Sequence, residues 1–125
     1  MDATLTLYDR VGGMPFFERL VGRFYASVDT DPILRPLYPD ADLGPAQRRL
    51  TLFLAQYWGG PRTYDDERGH PRLRMRHAPF AIDVAARDRW LSLMRAALAA
   101  EDPPTEVAVE LDAYLEMAAD AMRNR

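Results

Sequence analysis

Apolar residues along this chain recur at intervals of three and four, interrupted wherever proline or glycine intervenes, which divides the sequence into amphipathic helices. After Gly12-Gly13, the residues Phe16, Phe17, Leu20, Val21, Phe24, Tyr25 and Val28 form one stripe, with Pro15 in the first turn where its missing N–H does no harm. Asp29 to Asp31 end that helix. Asp31-Pro32 opens a short turn carrying Ile33, Leu34, Leu37 and Tyr38, which Pro39 stops. From Pro45 to about Trp58 a further helix places Leu50, Phe53, Leu54 and Tyr57 on one side, and Gly59-Gly60-Pro61 terminates it. The segment Arg62 to Gly69, with Asp65, Asp66 and Glu67, reads as a polar loop. Pro71 opens a short helix that must end before Pro79 and that carries His77. Asp83 is placed to cap a helix through Val84, Arg87, Trp90, Leu91, Met94, Ala97 and Leu98, broken by Pro103-Pro104. A last helix carries Val107, Leu111, Tyr114, Leu115, Ala118 and Met122. The one stretch with period two, Arg72, Arg74 and Arg76, lies between prolines and is too short to nucleate a sheet. The pattern therefore predicts an all-α fold whose stripes pack as a bundle or at steeper crossings.

Composition narrows the chemistry. A chain of 125 residues, 48% hydrophobic and 28% charged, fits a single globular domain over residues 1–125 with a core that needs neither disulfides nor a structural metal. Cysteine is absent, which excludes disulfides, thiolate metal ligands and cysteine nucleophiles. All 16 cationic side chains are Arg, so no lysine Schiff base can form. Acids and bases are interspersed around a net charge of −3, giving no basic field for nucleic acid and no polybasic membrane patch. The longest uncharged run, Leu50 to Pro61, falls well short of the ~20 apolar residues of a membrane span. Met1-Asp2-Ala3-Thr4 lacks the basic-then-apolar pattern of a secretory signal, so a cytoplasmic protein is expected. No repeat, phosphate-binding glycine loop or serine triad signature is present.

Only two histidines are available, His70 and His77. His77 follows Leu73 by four residues and precedes Phe80 by three, which sets its imidazole among apolar groups with Arg72 and Arg76 on the flank. Such a residue is either a core histidine bonded to a backbone carbonyl or a metal ligand. A neutral imidazole whose Nδ1–H donates to a carbonyl one turn earlier offers Nε2 to haem iron. Haem then requires apolar walls and a few donors for a bound diatomic. Phe24, Tyr25, Tyr38, Leu50, Phe53 and Trp90 supply both, although aromatics at helical spacing also serve as ordinary core. Their polar tips need partners when buried. Arg49, Arg72, Arg74 and Arg76 read as solvated faces, of which one or two suit carboxylate recognition, with Tyr57 or Tyr64 as a phenolic donor beside them. Asp65, Asp66, Glu67 and His70 are the other group with metal-ligand chemistry, and read as a solvated acidic loop.

Four stretches together resemble the truncated haemoglobins, second group: Tyr8 to Gly13, Arg23 to Ala26, Gln56 to Tyr64 and Gly69 to Phe80, within a likeness running from Leu7 to about Met122. The resemblance implies a two-over-two helical sandwich around haem b with His77 as proximal ligand and Tyr25, Tyr38 and Trp90 as distal donors. It also implies Ala46 and Leu50 over the distal face, and Arg49, Tyr64 and Arg76 as propionate partners. The implied ligands are oxygen, nitric oxide and carbon monoxide, with peroxide as a further reactant. Haem-dependent nitric oxide dioxygenation or peroxidase-like turnover would draw on an external electron donor, since no reductase fingerprint is present. A reversible oxygen-binding, storage or sensing module and a haem-free helical interaction module are the alternatives, and assembly into a homo-oligomer stays open.

Overall fold

In the computed structural model, which describes residues 5–125, Thr6 opens the first helix, α1 (Leu7–Arg10), through a capping box. Its hydroxyl accepts from the Asp9 amide at 3.1 Å, and the Asp9 carboxylate accepts from the Thr6 amide at 3.3 Å. This one-turn helix has too few apolar positions to register as a periodic stripe. Four long helices follow: α2 (Met14–Val28), α3 (Gly44–Tyr57), α6 (Val84–Glu101) and α7 (Thr105–Met122). Between α3 and α6 lie the short α4 (Thr63–Arg68) and α5 (Leu73–His77), and a 3-10 turn spans Arg35–Leu37. No strand occurs among the described residues, and the all-α expectation holds.

α2 packs on both α3 and α6, and α6 packs on α7, so the long helices form two pairs joined through α2. The α2 stripe read from the sequence is wholly buried, with Phe17, Leu20, Val21, Phe24 and Val28 at 0% exposure. It meets Leu91, Met94 and Leu98 of α6 and Leu111 and Leu115 of α7 in one continuous core. Two polar ties fix the pairs. Glu101, at the end of α6, accepts from Arg19 at 2.8 Å and Arg23 at 2.6 Å on α2. Buried Asp31 accepts from Arg89 of α6 at 2.5 Å while also capping the amides of Ile33 and Leu34, which anchors the turn leading to Tyr38.

Asp83 caps α6 as the sequence predicts, accepting from the Ala86 amide at 2.9 Å. The turn after α3 brings the chain against α1, where a Cβ on Gly60 would lie 2.6 Å from the Tyr8 ring and 2.8 Å from the Ala55 carbonyl. Only glycine fits that approach.

The segment Arg62 to Gly69 departs from expectation: it is the helix α4, not a polar loop. Gln56 accepts from the Asp65 amide at 3.0 Å, satisfying one of the free donors of the first turn. Asp65 and Asp66 sit in that first turn, where the helix dipole favours negative charge. Tyr64 alone is buried, so no apolar period marks the helix.

Candidate functional site

A cavity of about 510 Å³ opens between the helix pairs and the α4–α5 segment, within the ~300–1,000 Å³ range of small-molecule and cofactor sites. Of the residues singled out from sequence, Tyr25, Tyr38, Ala46, Arg49, Leu50, Phe53, Tyr64, Arg76, His77 and Trp90 all line it. Phe24 does not. It lies one layer behind, fully buried, with its ring 5.0 Å from Tyr25 and 5.6 Å from Trp90, because the inward course of α2 turns it to the core. Its part is to support those two side chains. Tyr57 also lies off the cavity, half-exposed, with its ring tilted by 31° against that of Tyr114 at a centroid distance of 4.1 Å.

His77 ends α5, a five-residue helix far below the ~12–15 residues at which an isolated helix begins to persist. Tertiary bonds must therefore hold it. Arg76 donates to the Pro71 carbonyl at 2.7 Å and to the Arg68 carbonyl at 3.1 Å, tying α5 to the preceding segment. His77 Nδ1 lies 2.6 Å from the Leu73 carbonyl oxygen. A carbonyl only accepts, so Nδ1 carries a proton, and in the neutral imidazole Nε2 then bears the lone pair. Among the described residues no hydrogen bond reaches Nε2. His70, by contrast, is exposed, and its Nδ1 accepts from the Arg72 amide at 3.2 Å. No three His, Asp or Glu side chains of the described residues gather closely enough to hold a metal ion, the 65–70 group included.

Tyr25 and Tyr38 meet edge-on with their hydroxyls 3.4 Å apart. That is longer than the ~2.5–3.0 Å of a good hydroxyl pair, so both retain capacity for a polar guest. Burial raises both phenols above their ordinary value, with the neighbouring Tyr38 adding to the rise at Tyr25; the hydrogen bond from Tyr25 pulls Tyr38 the other way, and the Arg49 guanidinium opposes the rise at both. Both are hence protonated donors at neutral pH. Trp90 completes this wall from α6.

Sequence reasoning missed the contribution of α7 and of the loop before α6. Tyr114, Ala118 and Met122, with Ile82, close one side of the cavity. These residues belonged to a recognised apolar stripe, and nothing in its period distinguishes a cavity wall from a core face. Burial, reinforced by Tyr57, pushes the Tyr114 phenol up to about 12.

Residues 6–124 match the family described as Bacterial-like globin. The Group 2 truncated hemoglobin YjbI of Bacillus subtilis is 40% identical over 113 residues, covering 90% of this chain and 85% of that protein. The crystal structure of a thermostable hemoglobin from the actinobacterium Thermobifida fusca superposes with a TM-score of 0.94 at 57% identity, covering 96% of this chain and 98% of that one. That of a truncated oxygen-avid haemoglobin from Bacillus subtilis gives 0.90 at 38% identity, covering 96% and 100%. With its paired long helices and near-complete match, the chain belongs to the bacterial-like globin family, and its fold is that of the truncated two-over-two globins.

Proposed function

We propose that this chain binds haem b in the cavity through His77 Nε2 and holds oxygen, nitric oxide or carbon monoxide there, with redox turnover of oxygen, nitric oxide or peroxide as its task. The observation that carries the reading is the 2.6 Å contact between His77 Nδ1 and the Leu73 carbonyl. It fixes the tautomer a haem ligand needs and leaves Nε2 on a cavity of suitable size. The remaining donor set also fits haem, since the walls are largely apolar and contain two protonated phenols without a strong partner. When bound, haem supplies an iron centre that takes small diatomic ligands and exchanges electrons.

The chain's own residues supply the rest. His77 holds the group on one face, with its ring orientation set by Leu73. Tyr38 and Trp90 each offer one donor to the guest and Tyr25 a third when it turns from Tyr38, and each bond made adds about 1 kcal/mol, which slows release about fivefold. Ala46 and Leu50 cover the same space without a polar atom and leave room for a second small molecule. Arg49 and Tyr64, which line the cavity, would hold the propionates. Arg76 serves there with its remaining N–H groups, since two are committed to backbone carbonyls. The oxygen avidity attributed to the Bacillus subtilis structure agrees with slow release. On the same reading the protein works in the cytoplasm, as one domain, with an external electron donor.

An absorption scan of the purified protein tests the first step: a Soret band is expected, and its absence after haem addition overturns the reading. Stopped-flow mixing tests the second. Oxygen-loaded protein with nitric oxide, and the ferric protein with hydrogen peroxide, should each react faster than free haem. Fast oxygen release with no enhancement of either reaction transfers the protein to the carriers or sensors.

A further inference from the structure

The loop that leaves His77 is held by one side chain from the far end of the chain. Asn124 Nδ2 donates to the Phe80 carbonyl at 2.9 Å and the His77 carbonyl at 3.3 Å, while its Oδ1 accepts from the Ile82 amide at 2.9 Å. Its own amide donates to the Ile82 carbonyl at 2.9 Å, and the Arg125 amide shares that acceptor at 3.2 Å. Residues 77–82 are thus clamped from both edges by a single asparagine, 47 positions distant from His77.

Asparagine is suited to this place by its chemistry. A carboxamide offers two donors and an acceptor in one plane, which a carboxylate or hydroxyl does not. α5 is too short to hold its own geometry, and its N-terminal side is tied through Arg76 to Pro71 and Arg68. The C-terminal side has the Phe80 amide closing a turn on the His77 carbonyl at 3.0 Å, and beyond that the Asn124 bonds. Met122, two residues earlier, lines the cavity itself, so the same strand of chain closes the wall and fixes the ligand helix.

We infer that Asn124 is a positioning residue for His77: its carboxamide sets the height and tilt of the imidazole over the cavity by fixing the carbonyls of His77 and Phe80. The inference rests on the proposed role of His77 as haem ligand. It assigns to the C-terminal segment a control on the strength of the iron–histidine bond, and hence on haem retention and ligand affinity, at a site outside the cavity.

The test compares wild type, Asn124→Ala and Asn124→Asp as haem-loaded proteins. Asn124→Asp keeps the acceptor for the Ile82 amide and replaces the donation to the His77 and Phe80 carbonyls by repulsion from a carboxylate oxygen. Three readouts are needed: resonance Raman of the ferrous protein in the iron–histidine stretching region, the rate of haem transfer to an excess of a haem-free acceptor protein, and amide hydrogen exchange with and without haem. Both variants should show a shifted or broadened iron–histidine band and haem loss faster by about tenfold, the scale of one or two net hydrogen bonds. Exchange should quicken over residues 78–82 and stay unchanged in α2 and α6, with haem or without. If Asn124→Ala loosens the whole chain, Asn124→Asp decides, because its bulk and one bond remain. A wild-type band and wild-type haem loss in Asn124→Asp, despite faster exchange at 78–82, overturn the inference and leave the His77 reading intact. A wild-type protein that takes up haem but shows no iron–histidine band overturns both.

Discussion

A histidine acts as a ligand only when its tautomer and direction are set, and at His77 both follow from one carbonyl a turn earlier. The spacing from Leu73 to His77 makes that bond legible in sequence, and the scarcity of imidazole leaves a single rival, His70, which is exposed and turned to its own loop. Replacing His77 with Gly is therefore expected to abolish stable haem binding and to be rescued by added imidazole, whereas His70→Ala should leave the ferrous spectrum unchanged. Equal loss of the Soret band in both variants contradicts the assignment. The phenols and the indole were also legible, but their roles differ in kind. Tyr25 and Tyr38 face each other at 3.4 Å, so losing one hydroxyl frees the other rather than simply deleting a donor. Trp90→Phe should speed oxygen dissociation about fivefold, Tyr25→Phe should speed it by less because Tyr38 is freed to donate in its place, and the double variant should deviate from additivity because the side chains share Phe24 as support. Unchanged rates in both single variants remove the donors from the ligand's environment.

Elements with a strong period were readable and those held by polar bonds were not. The stripes of α2, α6 and α7 match the faces turned to the core or the cavity, with Val84 exposed at the start of α6, and the Asp83 cap lies where the helix signals put it. In α3 the stripe shares only Leu54 with the buried set Thr51, Leu54 and Ala55, because Leu50 and Phe53 line the cavity and Tyr57 is half-exposed. α4 escaped notice because it buries one aromatic ring and gains its first-turn bond from Gln56, a partner nine residues upstream that no local pattern reveals. Phe24 shows the same limit inside a recognised stripe, since period distinguishes buried from exposed and cannot separate cavity wall from support. Its position gives a prediction at this scale. Phe24→Ala should cost about 3–5 kcal/mol in urea unfolding, as for other large-to-small core changes, and should also speed oxygen release by loosening Tyr25 and Trp90. Phe24→Leu, which keeps most of the volume, should recover most of the stability. Asp83→Ala, at the start of α6, should cost about 1 kcal/mol with little effect on ligand binding. A shift in oxygen release as large as that of Phe24→Ala would show that α6 transmits cap strain to Trp90.

Across the whole molecule the two helix pairs are joined by carboxylates that few sequence arguments would select, Asp31 and Glu101, each closing a bond between segments far apart in the chain. Burial alone would raise the Glu101 carboxyl, but the bonds from Arg19 and Arg23 outweigh it and hold the group below its ordinary value. At Asp31 the Leu34 and Ile33 amides and Arg89 likewise overcome the effect of burial. The sign of the consequence follows from linkage. In the pH interval between the lowered folded values and the ordinary carboxylate values of about 4, the unfolded chain binds more protons than the folded one, so stability falls with pH there. The stabilisation is complete above that interval and lost below it. Glu101→Gln keeps an oxygen acceptor for the arginines but removes the charge. It should lower the urea midpoint at pH 7, and the gap to wild type should begin to close near pH ~4 and disappear only below the lowered folded value. Comparing the two proteins at each pH cancels haem loss common to both. A gap of constant size from neutral to acid pH would show that Glu101 ties the pairs through packing and neutral hydrogen bonds, with its charge contributing nothing to the joint between α2 and α6.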